Sequence, residues 1–298
     1  MEYTKPPLSF EQQAELILSR GLIADRDILV SRLQTVNYYR LSGYLYPYRN
    51  PDDTFRDGTT LDNVWNHYCF DRELRSFVFD AIEKVEIAVR TSVVYHFSHT
   101  YGPFGYLDYS KVCNIKYINY ISLLHRLYNE TSRSKEDFVK HFKETYNDCH
   151  PQLPLWMAVE IMTFGSLLTM FKGMNYSLKQ EVSHDYSMND EVFASWLLTL
   201  NYVRNICAHH GRLWNREIRI TPRIPRKKKY PDWHDPITIS EKRIFPVLTS
   251  LSYLISIISP ECTWSDQVRK LLKKHPEISR ISMGFPERWE TSPLWTGN

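Results

Sequence analysis

Glycine is scarce, with ten in 298 residues, too few for a loop-rich enzyme or one that cradles its ligand in a glycine loop. Cysteine is nearly as rare. The five, Cys69, Cys113, Cys149, Cys207 and Cys262, are an odd, widely spaced set without a CxxC pair. That pattern argues against a disulfide scaffold and against a zinc site of ordinary local spacing, and it fits reduced thiols in a cytoplasm. Cys149 beside His150 is an isolated pair. No stretch approaches the roughly 20 apolar residues of a membrane span, and the start MEYTKPPLSF lacks an apolar signal core. A cytoplasmic protein with no membrane partner, no metal and no cofactor is therefore expected. Strand-type alternation of useful length, internal repeats and low-complexity tracts are missing too, which leaves an all-α fold. Neither sign of charge dominates: the net value of +3 is too small to declare a polyanionic partner.

What the chain has in abundance is aromatic side chains, 20 Tyr, 14 Phe and 8 Trp, suited to packing, interfaces and base stacking alike. Apolar residues recur at helical spacing. Ser9 with Gln12 resembles a capping box opening a helix to about Arg20, where Gly21 can stop it, and Asp25 can cap a second helix running from Arg26 to about Tyr39. An aromatic run follows, from Leu41 to Tyr48. The turn-rich stretch Asn50 to Thr60 reads as a linker, dividing a small helical N-terminal subdomain (1–50) from a larger helical domain (61–298). There, residues 71–98 carry the strongest amphipathic pattern, with shorter blocks near 115–128 and 135–144 and one from Leu155 to Phe171 behind Pro154. Asp190 can cap a helix with apolar face Phe193, Trp196, Leu197, Leu200, Val203 and Cys207, closed by Gly211. Four prolines forbid helix through a basic loop at about 212–236. Two C-terminal helices, about 240–259 and 265–274, complete the chain.

Positive charge is gathered in one place. From Arg204 to Lys229 there are nine basic residues (Arg204, Arg212, Arg216, Arg219, Arg223, Arg226, Lys227, Lys228, Lys229) against one acid, Glu217, a cluster that attracts phosphate backbones. A solvated loop is the plainer reading of Arg226 to Lys229 alone. At the head of this segment, Asn205 and His209 lie one helical turn apart on the same face, with Arg204 beside them. The negative helix end favours a protonated imidazole there, which suits proton transfer. Cleavage of RNA by its own 2′-hydroxyl needs a base, an acid, and a cation for the charge developing on phosphorus. His209 and Arg204 can fill such roles while Asn205 orients the ring, and a second copy of the chain would supply the other proton-transfer group. The bland alternative is an Arg and a His that merely satisfy the carbonyls at a helix end.

Four separated blocks then carry a resemblance: Val36 to Pro47 (VNYYRLSGYLYP), Ile82 to Thr91 (IEKVEIAVRT), Pro154 to Glu160 with Phe164-Gly165, and Arg204 to Asn215 (RNICAHHGRLWN). Together, over roughly residues 5 to 225, the chain resembles the Abi-like abortive-infection proteins of the D and F types. These look like members of the HEPN superfamily, whose signature of Arg, a polar residue and a later His maps onto Arg204, Asn205 and His209. The resemblance implies a HEPN-like helical bundle with metal-independent endoribonuclease activity. It also implies homodimers that join two motifs, and a toxin role in phage defence held in check by a structured noncoding RNA. The other reading is a module that grips a structured RNA without cutting it; a DNA-binding regulator ranks last, because no helix-turn-helix pairing stands out.

Several residues compete for roles. His210 shares the Arg-to-His spacing but points about 100° further round, so it is assigned to RNA binding with Arg212, Arg216, Arg219, Arg223, Arg226 and Lys227 to Lys229. Arg90 and His96 repeat the spacing loosely, yet His96 falls on an apolar stripe, as a core or interface histidine would, and Arg90 with Glu86 suits a helix-surface ion pair. Trp214 and Asn215 are read as lining the cleft, with packing an equal alternative for Trp214. The Tyr38, Tyr39, Tyr44, Tyr46 and Tyr48 cluster fits core packing more readily than base stacking.

Overall fold

The computed structural model describes residues 2, 4, 6–146, 148–240 and 242–296, and among them the regular structure is helical, with no strand beyond two isolated bridges. Everything is arranged around one helix. α4 (Leu61–Tyr101) is 41 residues long, about 60 Å at 1.5 Å per residue. Thr60 caps it by accepting from the Asn63 N–H. Its buried positions (Leu61, Val64, Phe70, Leu74, Val78, Ile82, Val85, Val89, Val93, Phe97) recur every three or four residues along its length, so it packs partners on every turn. The sequence pattern reveals only 71–98, because His67 in the second turn interrupts the apolar stripe, with buried Asp71 and Arg75 following it on the same face.

Before α4 come α1 (Phe10–Ser19), α2 (Arg26–Thr35) and α3 (Tyr38–Leu45). The capping box at Ser9 and Gln12 and the Asp25 cap both form. A single helix from Arg26 to Tyr39 does not: Val36 is extended, and Asn37 caps α3 by accepting from the Tyr39 N–H, an Asx start that ends one helix and opens the next. The stretch Asn50 to Thr60 is held against the turn between α1 and α2. Phe55 is buried and its N–H donates to Arg20 O at 2.7 Å, while Ile23 exchanges backbone bonds with Thr59 and Leu61.

After α4 follow α5 (Tyr117–Arg133), α6 (Asp137–Tyr146), α7 (Leu155–Ile161), α8 (Phe164–Gly173), α9 (Tyr176–His184), α10 (Asp190–Ala208), α11 (Phe245–Ile258) and α12 (Trp264–Lys274). The span read as one helix from Leu155 to Phe171 is two. Arg90 of α4 donates to Val159 O and Met162 O at the end of α7, and Thr163 caps α8, so the break is satisfied on both sides. The ion pair of Arg90 with Glu86 is mostly buried rather than superficial. α9 is a short helix, capped by Asn175, that the sequence reading does not include. α11 starts at Phe245, with Pro246 in its first turn, later than the expected start near residue 240; Glu241 lies outside the described residues.

The C-terminal segment has no long helix, yet it packs tightly. Phe285, Trp289 and Trp295 close on Phe245 of α11 with centroid distances of 4.6, 6.4 and 5.8 Å, and Trp295 Nε1 donates to Thr249 Oγ1 at 3.1 Å. Trp295 is fully buried. Trp295→Ala is expected to cost about 3–5 kcal/mol of stability, the usual loss for emptying a buried aromatic site, measured by urea denaturation against wild type.

Candidate active site

The end of α10 forms a tight backbone turn. His210 N–H donates to Cys207 O at 2.9 Å and Gly211 N–H to Ile206 O at 2.7 Å, the paired bonds of a Schellman stop. In that motif the left-handed position is usually glycine; here it is His210, at φ 56°, and Gly211 is not the left-handed residue. Gly211 serves a different need: a Cβ there would lie 3.0 Å from Ile206 Cγ2 and 3.2 Å from Ile206 O, tighter than ordinary contact. Holding a histidine left-handed costs about 1–2 kcal/mol, so something must fix the turn from outside. The N-cap at the other end is Asn189, accepting from Glu191 and Val192, with Asp190 the first helical residue.

Asp71 provides that hold. It is fully buried; its Oδ1 accepts from the backbone N–H groups of Leu213 at 2.9 Å and Trp214 at 2.6 Å, and its Oδ2 from Tyr44 Oη at 2.5 Å and from Arg75 Nη1. One carboxylate thus ties α3, α4 and the chain just past α10. Burial opposes the Arg75 charge more than any single neighbour supports it, and Asp71 and Tyr44, with a contribution from Cys207, together outweigh it, so its pKa is raised; burial, aided by Asp71, pushes the Tyr44 phenol well above its ordinary range. A charge buried this deeply is tolerated only with every lone pair engaged. Two more arginines clasp the turn: Arg40 Nη1 donates to His210 O at 2.6 Å and Arg212 Nη1 to Gly43 O. Burial lowers the Arg212 pKa.

Asn205 and His209 are exposed and Arg204 is half-buried, its guanidinium carbon 5.8 Å from the Phe79 ring centre, within cation–π reach. Among the described residues, no side-chain hydrogen bond joins Asn205 to His209. His210, not His209, lines an open cleft of about 540 Å3 between α4 and the end of α10, together with Arg72, Arg75, Phe79, Asp80 and Glu83. Arg40, Arg204, Arg212 and Arg216 have no carboxylate partner within ion-pair distance among the described residues, so their charge is available to an anion. No grouping of three or more His, Cys, Asp or Glu suited to a metal ion occurs among the described residues. Burial pushes the Cys207 thiol up to about 12, which keeps it protonated.

The basic residues divide. Arg212 and Arg216 stay near the turn, linked through the Arg212 carbonyl. Arg223 instead lies beside the start of α10, donating to Glu191 and to the Ser195 hydroxyl, roughly 20–25 Å from His209 at 1.5 Å per helical residue. Tyr230 is bonded to Ser187 O there, and Lys227 pairs with Asp235. Lys229 borders a different cavity, one rich in acids. Arg226 and Lys228 are exposed on the same loop, and Arg219 is exposed between the two groups. His96 lies between Glu181 (3.3 Å) and Asp185 (3.0 Å) of α9, joining two helices far along α4 from the turn.

Sequence reasoning missed Asp71, Arg75, Arg40 and Arg72. Its available signal was polar residues at 67, 71 and 75, each one turn apart on an otherwise apolar stripe. Trp214 is buried, stacked on Tyr44 with ring centres 6.4 Å apart and packed on His67 at 4.3 Å. Asn215, at φ 50°, accepts from Arg243 at 3.2 Å.

A family model described as Abi-like protein matches residues 31–215, from α2 to the residue after Trp214. The chain belongs to the Abi-like family. The match covers well over half the chain and ends just past the clasped turn, so α3 to α10 and the turn lie within it, and the basic loop beyond and α11 and α12 lie outside it. No curated protein and no solved structure gives a significant match. Among the described residues, no helix is long and apolar enough to cross a membrane.

His210→Gly tests the strain in this Abi-like turn. Relief of the left-handed backbone offsets the greater freedom of glycine in the unfolded chain, so the melting temperature is expected to stay within a few degrees of wild type or rise. A marked fall would show that the imidazole itself holds the turn.

Proposed function

We propose that this Abi-like chain is a metal-independent endoribonuclease of the HEPN kind, acting in abortive infection as the toxin partner of a structured noncoding RNA. The observation that carries the reading is that exposed His209 and half-buried Arg204 stand at the same helix end, near arginines with no carboxylate within ion-pair distance among the described residues. In this scheme a histidine takes the proton of a ribose 2′-hydroxyl, whose oxygen attacks phosphorus. The bond from phosphorus to the 5′-oxygen breaks, and a second histidine protonates the leaving oxygen. Arg204 balances the negative charge that builds on the phosphoryl oxygens. The products are a 2′,3′-cyclic phosphate and a 5′-hydroxyl, and water is not consumed.

His209 and His210 leave the turn in different directions, so base and acid come most simply from two copies of the chain. Support for a homodimer lies on α4. The exposed side of the helix that borders the cleft at Ser76, Asp80 and Glu83 continues through Ile87, Thr91 and Tyr95, with Ile87 and Tyr95 each more than half exposed and Trp156 of α7 beside them. A partner seated on that apolar stripe would lie over the cleft. Binding of cytoplasmic RNA then needs no membrane and no cofactor in this scheme.

Purified protein is expected to cut RNA in excess EDTA and leave cyclic phosphate ends. Arg204→Ala and His209→Ala should each lower the rate by at least a hundredfold with unchanged circular dichroism. Strict dependence on added magnesium would contradict the scheme. Intact RNA, bound by wild type and bound more weakly by His209→Ala, would instead establish a gripping module that does not cut.

A further inference from the structure

α3 forms the outer wall of the turn, and its solvent face is unusual. Tyr39 and Tyr46 are 76% and 69% exposed, among the barest aromatic rings in the protein, while Tyr44 of the same run is buried and Tyr38 and Tyr48 are half-buried. Seven residues separate Tyr39 from Tyr46, so they project from one face about 10 Å apart along the axis. Between them on that face is Gly43. Its backbone is helical, and a Cβ there would meet only Arg212 Nη1, at 4.0 Å, so neither conformation nor packing demands glycine, which weakens a helix interior. Arg40 and Arg212 reach across to His210 O and Gly43 O at the same place. On its other side, Tyr39 borders a groove of about 670 Å3 shared with Leu8, Leu16 and Tyr38.

We propose that this face of α3 is a binding platform for unpaired RNA, on which bases stack against Tyr39 and Tyr46 while the sugar-phosphate chain crosses the gap at Gly43 toward Arg40, Arg212 and the histidine turn. The proposal rests on the RNA-directed reading of that turn and deepens it by naming the substrate as single-stranded. Flat, half-polar rings stack on any base, and such stacking is sequence-tolerant. About 10 Å spans some three base-stacking steps of 3.4 Å, so the two rings bracket a short run of bases rather than sandwich one. A duplex, whose bases are already stacked inside, gains nothing from them. The missing side chain at Gly43 lets a phosphodiester approach the Arg40 and Arg212 guanidinium groups, which have no carboxylate within ion-pair distance among the described residues.

The test uses fluorescence anisotropy at one fixed salt concentration, with full-length His209→Ala protein so that the probe survives. A short unstructured RNA is compared with the same sequence as a duplex. Tyr39→Ala and Tyr46→Ala should each weaken binding of the single strand by roughly tenfold, Tyr→Phe at either site should restore most of it, and duplex binding should not change. Gly43→Leu should retain the fold and still weaken the single strand severalfold. The proposal is overturned if the alanine variants bind the single strand like the parent, if Phe behaves like Ala, or if the duplex suffers equally. It is overturned too if the variants instead alter the mass seen by light scattering, which would make the face a protein contact. Wild-type cleavage that Tyr39→Ala and Tyr46→Ala leave untouched would remove the platform and keep the nuclease. Platform-dependent binding without any cleavage would do the reverse, and no RNA binding at all would remove both.

Discussion

A single buried carboxylate, Asp71, accepts hydrogen bonds from a phenol, a guanidinium and two consecutive backbone amides. Its position one quarter of the way along α4 is where a purely apolar residue would have served packing better, since a buried ion pair rarely stabilises more than a hydrophobic replacement. What it provides is registration. Tyr44 fixes α3, Arg75 fixes the side chain on the same helix, and the Leu213 and Trp214 amides fix the chain three to four residues beyond His210. With both ends of that short segment held, one by α10 and one by Asp71, the residues between have little freedom.

That restraint explains how a histidine is kept left-handed. The Schellman bonds set the direction in which the chain leaves α10, Gly211 admits the close approach to Ile206, and Arg40 secures the His210 carbonyl. Strain that the surrounding structure over-determines often marks a working site. The remaining C-terminal third serves a different end: α11, α12 and the tryptophan-rich tail pack on α4 and α11, stiffening the long helix that carries Asp71.

Fold class was legible because helical spacing, caps and proline positions are local signals. Ser9, Asp25 and the stripe through Val78, Ile82, Val85 and Val89 announce their helices without tertiary help. Breaks were less legible where the cause was distant: nothing in the order Val159 to Thr163 reveals that Arg90, some 70 residues earlier, will satisfy the carbonyls of α7. The same holds for the turn. Arg204, Asn205 and His209 are close in sequence and could be read together, whereas Asp71, Arg40 and Tyr44 reach the turn only through the packing of α3 and α4. The basic run shows the opposite error. Residues 212 to 229 look like one patch as a string, but between Arg216, bonded at the turn, and Arg223, paired with Glu191, the chain runs back along α10, so charge that is continuous in sequence is divided in space.

The central claim, that Asp71 sets the pose of the histidine turn, is tested most directly by residue-resolved amide hydrogen exchange. In wild type, the Leu213 and Trp214 amides should exchange nearly as slowly as those of Leu200 and Val203 inside α10. In Asp71→Ala, those two should become fast while Leu200 and Val203 stay slow. Rapid exchange at Leu213 and Trp214 in the wild-type protein, or continued slow exchange there once the carboxylate is gone, would contradict it.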